Sequence, residues 1–201
     1  MRSVTMLGLC ILSAASTMIA RPADDPARPA AGLATLYQRD PLANRLSFVT
    51  GAYGSVFQDH QVKNHQSDID FGQYHANEFT VGIEGGATGA IVDIGSPEGL
   101  RQEYGYEETI GGGQGFASIR MENGRLVILA DGRKQTTQAL RNTATFFAEL
   151  TPGAHAPIHD NHVYVVRLRD THAPQSERLT KLLVVRYEPG VSVTLRWLPV
   201  P

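Results

Sequence analysis

The stretch HAPIHDNH, residues 155–162, sets His155, His159 and His162 within eight positions, at spacings of four and three. Imidazole nitrogen is a good ligand for Zn²⁺ and other borderline metals, and a carboxylate commonly completes such a set. Asp160 lies between the last two histidines. A second group occupies DHQVKNHQSDIDFGQYH, residues 59–75, where His60, His65 and His75 accompany Asp68 and Asp70. The candidate metal ligands are His60, His65, Asp68, Asp70, His159 and His162. The candidate ions are Zn²⁺ or Ca²⁺, and no other cofactor is expected.

Spacing alone brings no three of these groups together. On a helix His159 and His162 would face the same way, but Pro157 and the β-rich run VYVVRLRD after them argue against a helix. In an extended segment Asp160 and His162 share a face while His159 points away. The pattern is not HExxH. A metal site therefore needs the fold to assemble it. The favoured expectation is a polar turn feeding a strand, because His, Asp and Asn bond to nearby backbone groups. Asp68-Ile69-Asp70 places two carboxylates on one face of a strand, close enough to share a cation. The stretch departs from an EF-hand loop after its third position, so a solvated strand face or strand-end turn is expected.

Other chemistry finds less support. The glycines from Ile110 to Phe116 lack the third glycine of a dinucleotide fingerprint, and a strand rather than a helix is expected next. No G-x-S-x-G elbow occurs, and Ser118 sits inside a hairpin strand. Glu84, Asp93, Glu103, Glu107 and Glu108 are available for glycoside hydrolysis, but the separation on which that mechanism depends is not set by the sequence. Aromatics cluster in the glycine-rich half. Tyr104 and Tyr106 flank Gly105 and are the candidate ligand-binding pair, whereas Phe57, Phe71, Phe79, Phe146, Phe147 and Trp197 are expected inside.

The elements that must position these groups are mostly strands. EFTVGIEGG (78–86) alternates apolar and polar residues, and GAIVDIG (89–95) is a short apolar run. GFASIRMENGRLVILADG (115–132) reads as a hairpin turning at Asn123-Gly124. TATFFAEL, HVYVVRLRD, LTKLLVVRY and VSVTLRWLP follow, the last two joined by Glu188-Pro189-Gly190. In the last strand Val191, Val193, Leu195 and Trp197 face one side and Ser192, Thr194 and Arg196 the other. Ser96-Pro97-Glu98 supplies an N-cap, an N1 proline and an acidic first turn, predicting one helix over 97–104. About nine strands with no crossover helices predict an all-β fold, an antiparallel β-sandwich or jelly-roll-like barrel.

The chain ends differ from this pattern. Residues 1–20 have one early Arg, an apolar run and small residues, the layout of a signal peptide removed after Ala20. The run is too short and too interrupted for a membrane span, so none is expected in the mature chain. The single cysteine, Cys10, would leave with the peptide, excluding disulfides and thiolate chemistry from the rest. A cysteine-free exported domain without an Asn-x-Ser/Thr acceptor points to a bacterial protein, secreted or periplasmic. Residues 21–41 read as a Pro/Ala-rich linker, partly disordered, with one or two helical turns over 31–40. Residues 42–201 read as a single β-rich domain. The net charge of −2 and the lack of a basic stripe argue against nucleic acid. The expected function is a secreted non-catalytic module binding a glycan or envelope protein. The alternative is a small secreted metal-dependent hydrolase using the clustered His and Asp residues.

Overall fold

A computed structural model describes residues 31–52, 67–83, 87–104, 119–123, 125–130, 136–140, 150–170 and 173–200. The elements are β1 (Gly32–Tyr37), β2 (Arg45–Leu46), β3 (Ile69–Phe71), β4 (Glu78–Val81), β5 (Ala87–Gly95), α1 (Pro97–Tyr104), β6 (Ile119–Glu122), β7 (Arg125–Ala130), β8 (Thr136–Ala139), β9 (Ala154–Pro157), β10 (Val163–Asp170), β11 (Ala173–Glu188) and β12 (Ser192–Pro199). They form three antiparallel sheets, ordered β1-β12-β11-β10-β5, β2-β3-β4-β9 and β6-β7-β8. The fold is an all-β antiparallel sandwich with one short helix, and none of the three described sheets closes into a barrel.

Alternation in the sequence builds the main core. Val193, Leu195 and Trp197 on β12 are buried, and the residues between them are half-exposed. They meet Leu36, Ile69, Phe71, Phe79, Val81 and Tyr164 between the five-stranded and four-stranded sheets. A second cluster lies on the other face of the five-stranded sheet. There Val163, Val165 and Leu183 pack with Leu126 and Ile128 of the three-stranded sheet and with Leu100 and Tyr104 of α1. Strand β10 is thus buried on both faces, which accounts for its unbroken VYVV run.

The helix lies where its cap predicts. Ser96 Oγ accepts a hydrogen bond from Gly99 N at 3.1 Å, and Leu100 N bonds back to Ser96 O at 2.9 Å. The hairpin between β6 and β7 closes with Glu122 opposite Arg125, and Asn123 takes the positive φ of 49° that the turn requires.

Residues 31–40 differ from expectation. The helical turns predicted there are replaced by β1, which pairs with β12 along its whole length. Ala34 and Leu36 are buried against the core while Leu33 is 65% exposed. At Gly32 the Trp197 indole lies so close that an added Cβ would fall 2.5 Å from it. Completing the sheet edge and covering Trp197 outweighs the weak local preference for helix. The stretch 21–41, read as linker, therefore contains a core strand. Strands β8 and β9 have no counterpart in the sequence pattern, and of the β runs expected over 46–57 the described residues place only Leu46 in a strand, β2. Residues 1–30, where a signal peptide and linker are expected, and most of TATFFAEL lie outside the described residues.

Asp68 is one of the few buried charges among the described residues. Its carboxylate accepts from Phe48 N at 2.7 Å and from Arg178 at 2.7 Å. Burial raises its pKa above the ordinary 3.8, and the Arg178 charge opposes the rise without cancelling it. The folded state therefore holds this proton to a higher pH than the unfolded chain. Its stabilising effect is complete below 3.8 and is lost as pH rises through the raised value. Measured as denaturant midpoints across this window, the stability of the wild type should fall with rising pH relative to Asp68→Asn. A constant difference between the two proteins would refute the linkage.

Candidate metal centre

Three elements converge at one edge of the five-stranded sheet. Asp93 lies on β5, opposite Tyr164 of β10. The register slips there: Val163 faces Gly95, so Ile94 is the extra residue of a bulge. Gly95 takes a φ of 102° and its N–H donates to Asp93 Oδ1 at 2.8 Å, holding the carboxylate at the strand end. The backbone of the loop before β10 is tied down too. Asn161 N bonds to Val184 O at 3.0 Å, and Val184 N to His162 O at 2.9 Å. Asn161 supplies the positive φ, 56°, that turns the chain.

Tyr164 fixes the rest of the loop. Its ring is fully buried and meets Phe79 edge-on at 5.6 Å. Its hydroxyl donates to Pro157 O at 2.9 Å and accepts from His159 N at 2.8 Å. Burial, and next the negative charge of Asp93, raise its pKa far above the ordinary value, so the hydroxyl remains protonated and keeps both bonds.

The two imidazoles held this way meet one carboxylate. His159 Nδ1 lies 2.8 Å from Asp93 Oδ2. His162 Nδ1 lies 2.9 Å from the same oxygen and 3.0 Å from Oδ1. The ring centres are 5.0 Å apart and tilted by 46°. One ligand atom from each of the three residues falls within 4.8 Å of the others. The side chain of His159 is 55% exposed, and those of His162 and Asp93 are 31% and 26% exposed. The group is a surface site with open access from solvent.

Of the candidates from the sequence, the structure brings His159 and His162 together. Asp93, considered above only for glycoside hydrolysis, is their third partner. Asp160 accepts from Tyr187 N instead, at 2.9 Å. Asp68 and Asp70 are buried among protein partners. Asp70 lies 3.7 Å from the Arg45 guanidinium and accepts from Gln73 N at 3.0 Å. Neither belongs to a three-ligand group among the described residues. Tyr104, one of the candidate ligand-binding pair, is 5% exposed and packs with Leu100 and Ile119 in the second core. Its place on the inner face of α1 takes it there. His60, His65 and Tyr106 lie outside the described residues. No spacing rule links Asp93 to histidines 66 and 69 positions later. The one local signal is an acid two residues before a glycine at a strand end, a pattern compatible with a bulge that re-aims a side chain.

No family model, curated protein or solved structure matches the chain. No described helix is long and apolar enough to cross a membrane.

Tyr164→Phe removes the acceptor of His159 N and the donor to Pro157 O while keeping the ring. The variant should lose about 0.5–1.5 kcal/mol in denaturant unfolding, the net worth of hydrogen bonds to part-buried backbone groups. An unchanged midpoint would show that water replaces the hydroxyl.

Proposed function

We propose that the protein is an exported bacterial β-sandwich that binds a divalent transition metal through Asp93, His159 and His162. The observation that carries the reading is the single carboxylate oxygen within 2.9 Å of two imidazole nitrogens. Two nitrogens and one oxygen suit Zn²⁺, Cu²⁺ or Ni²⁺, whereas Ca²⁺ and Mg²⁺ favour all-oxygen sets. The ring separation agrees. Two imidazoles on one tetrahedral ion, with bonds of about 2.0–2.1 Å, place their centres about 5 Å apart. The Tyr164 hydroxyl and the Gly95 N–H act as outer supports that orient the ligands.

Three protein ligands leave coordination positions for water or an outside group. That count is typical of reactive rather than purely structural sites, and it keeps metal-assisted hydrolysis as the reaction class such a centre supports. A glycan or envelope-protein partner has separate support. An open groove of about 610 Å³ is lined by Tyr37, Arg39, Asp40, Pro189, Gly190 and Val191. Tyr37 is exposed there, and an aromatic face beside charged groups suits a sugar ring and its hydroxyls.

Elemental analysis of untagged protein beginning at residue 21, with melts recorded with and without chelator, tests the metal reading. The expected result is bound Zn²⁺ or a close relative and a melt lowered by chelator. Asp93→Asn with His162→Ala should weaken Zn²⁺ binding at this site by about 100-fold or more, because two ligands are lost. Binding indifferent to both substitutions would remove this assignment.

A further inference from the structure

We infer that His75, Glu78 and His155 form a second, separate transition-metal site on the outer face of the four-stranded sheet. On β4 and β9, Glu78 lies opposite Pro157 and Thr80 opposite His155, so Glu78 and His155 are diagonal neighbours. Phe79 and Ala156 between them turn into the main core, which puts Glu78 and His155 on the opposite face. His155 Nδ1 meets Glu78 Oε2 at 2.5 Å. His75 comes from the loop joining β3 and β4. That loop is closed by Gly72 N to Glu78 O at 3.0 Å and by Glu78 N to His75 O at 3.1 Å. Asn77, at a φ of 63°, ties it to the turn before β12, where Asn77 Oδ1 accepts from Gly190 N at 2.7 Å.

The loop so fixed lays the His75 ring over His155, with centres 3.9 Å apart and planes within 18°. Ligand atoms of the three residues lie within 4.8 Å of one another. Among the described residues the His75 ring makes no hydrogen bond, so its nitrogens are available. Two imidazoles and a carboxylate again favour Zn²⁺, Cu²⁺ or Ni²⁺ over Ca²⁺. Sharing one ion would part the stacked rings to about 5 Å, a torsional change open to side chains at the surface. Binding requires unprotonated imidazole, so the affinity falls as pH is lowered. None of its ligands belongs to the first site. The octapeptide HAPIHDNH contributes His155 to one site and His159 and His162 to the other. His155 and His159 are four positions apart, at most about 14 Å from Cα to Cα.

Competition of the full chain with a chromophoric chelator for Zn²⁺ counts the sites. We expect two Zn²⁺ per chain in the wild type. Glu78→Gln with His155→Ala should leave one, Asp93→Asn with His162→Ala should leave one, and all four substitutions should leave none. His75→Ala alone should weaken the second ion at least about 10-fold, and far-ultraviolet circular dichroism checks that each variant is folded. A single ion lost with Asp93 but unmoved by His155→Ala overturns this inference and leaves the first site standing. A single ion lost with His155→Ala but indifferent to Asp93 does the reverse. No Zn²⁺ in the folded wild type overturns both, as do two ions that neither pair of substitutions removes.

Discussion

The burial of β10 on both faces is the constraint from which the rest of the structure follows. Tyr164 and Val166 face the main core, and Val163 and Val165 face the second. A central strand of this kind needs a sheet neighbour on each side for its backbone groups and an apolar layer on each face. Strands β5 and β11 supply the neighbours. The four-stranded sheet supplies one layer, and the three-stranded sheet with α1 supplies the other. Substitution of a residue in the VYVV run would disturb two cores or the strand between them.

Tyr164 connects this constraint to the surface chemistry. Its ring is held by Phe79 in the core, and its hydroxyl fastens both Pro157 O and His159 N. The position of an exposed histidine is thus set by a buried side chain. Asp93 is held in the same manner, by a bulge whose N–H caps Oδ1, while Oδ2 meets both imidazoles. Rigid support beneath exposed ligands is what a metal site needs, because the cost of ordering the side chains has already been met by folding. The second group is supported differently: two sheet residues and a tethered loop meet without help from the core.

The two groups also show why a run of histidines does not make one site. Between His155 and His159 the chain leaves β9 and passes through the buried Ile158. Side chains on either side of that anchor are directed to different surfaces. His155 joins Glu78 across the sheet, and His159 and His162 join Asp93 across a different sheet. The shared octapeptide holds the groups near one another, yet each takes its carboxylate from a separate strand.

Much of the architecture was legible in the residue pattern. Alternation from Ser192 to Trp197, the Asn123 turn and the Ser96-Pro97 cap each specify local structure through nearest neighbours, and each is found in the fold, whereas Val191, expected on the buried face, precedes the strand and is exposed. Strand β1 was not legible, because its reason for being extended is the Trp197 indole lying over Gly32, a partner 165 positions away. The candidate sites divide in the same way. His159 and His162 stand out in the sequence by residue type and spacing. Asp93, and the meeting of His75, Glu78 and His155, do not, because strand pairing and a register bulge create them. Sequence by itself determined which residues alternate, turn and cap, since those preferences act over a few bonds. Only the tertiary structure decided which carboxylate each histidine meets, since that depends on which strands lie side by side.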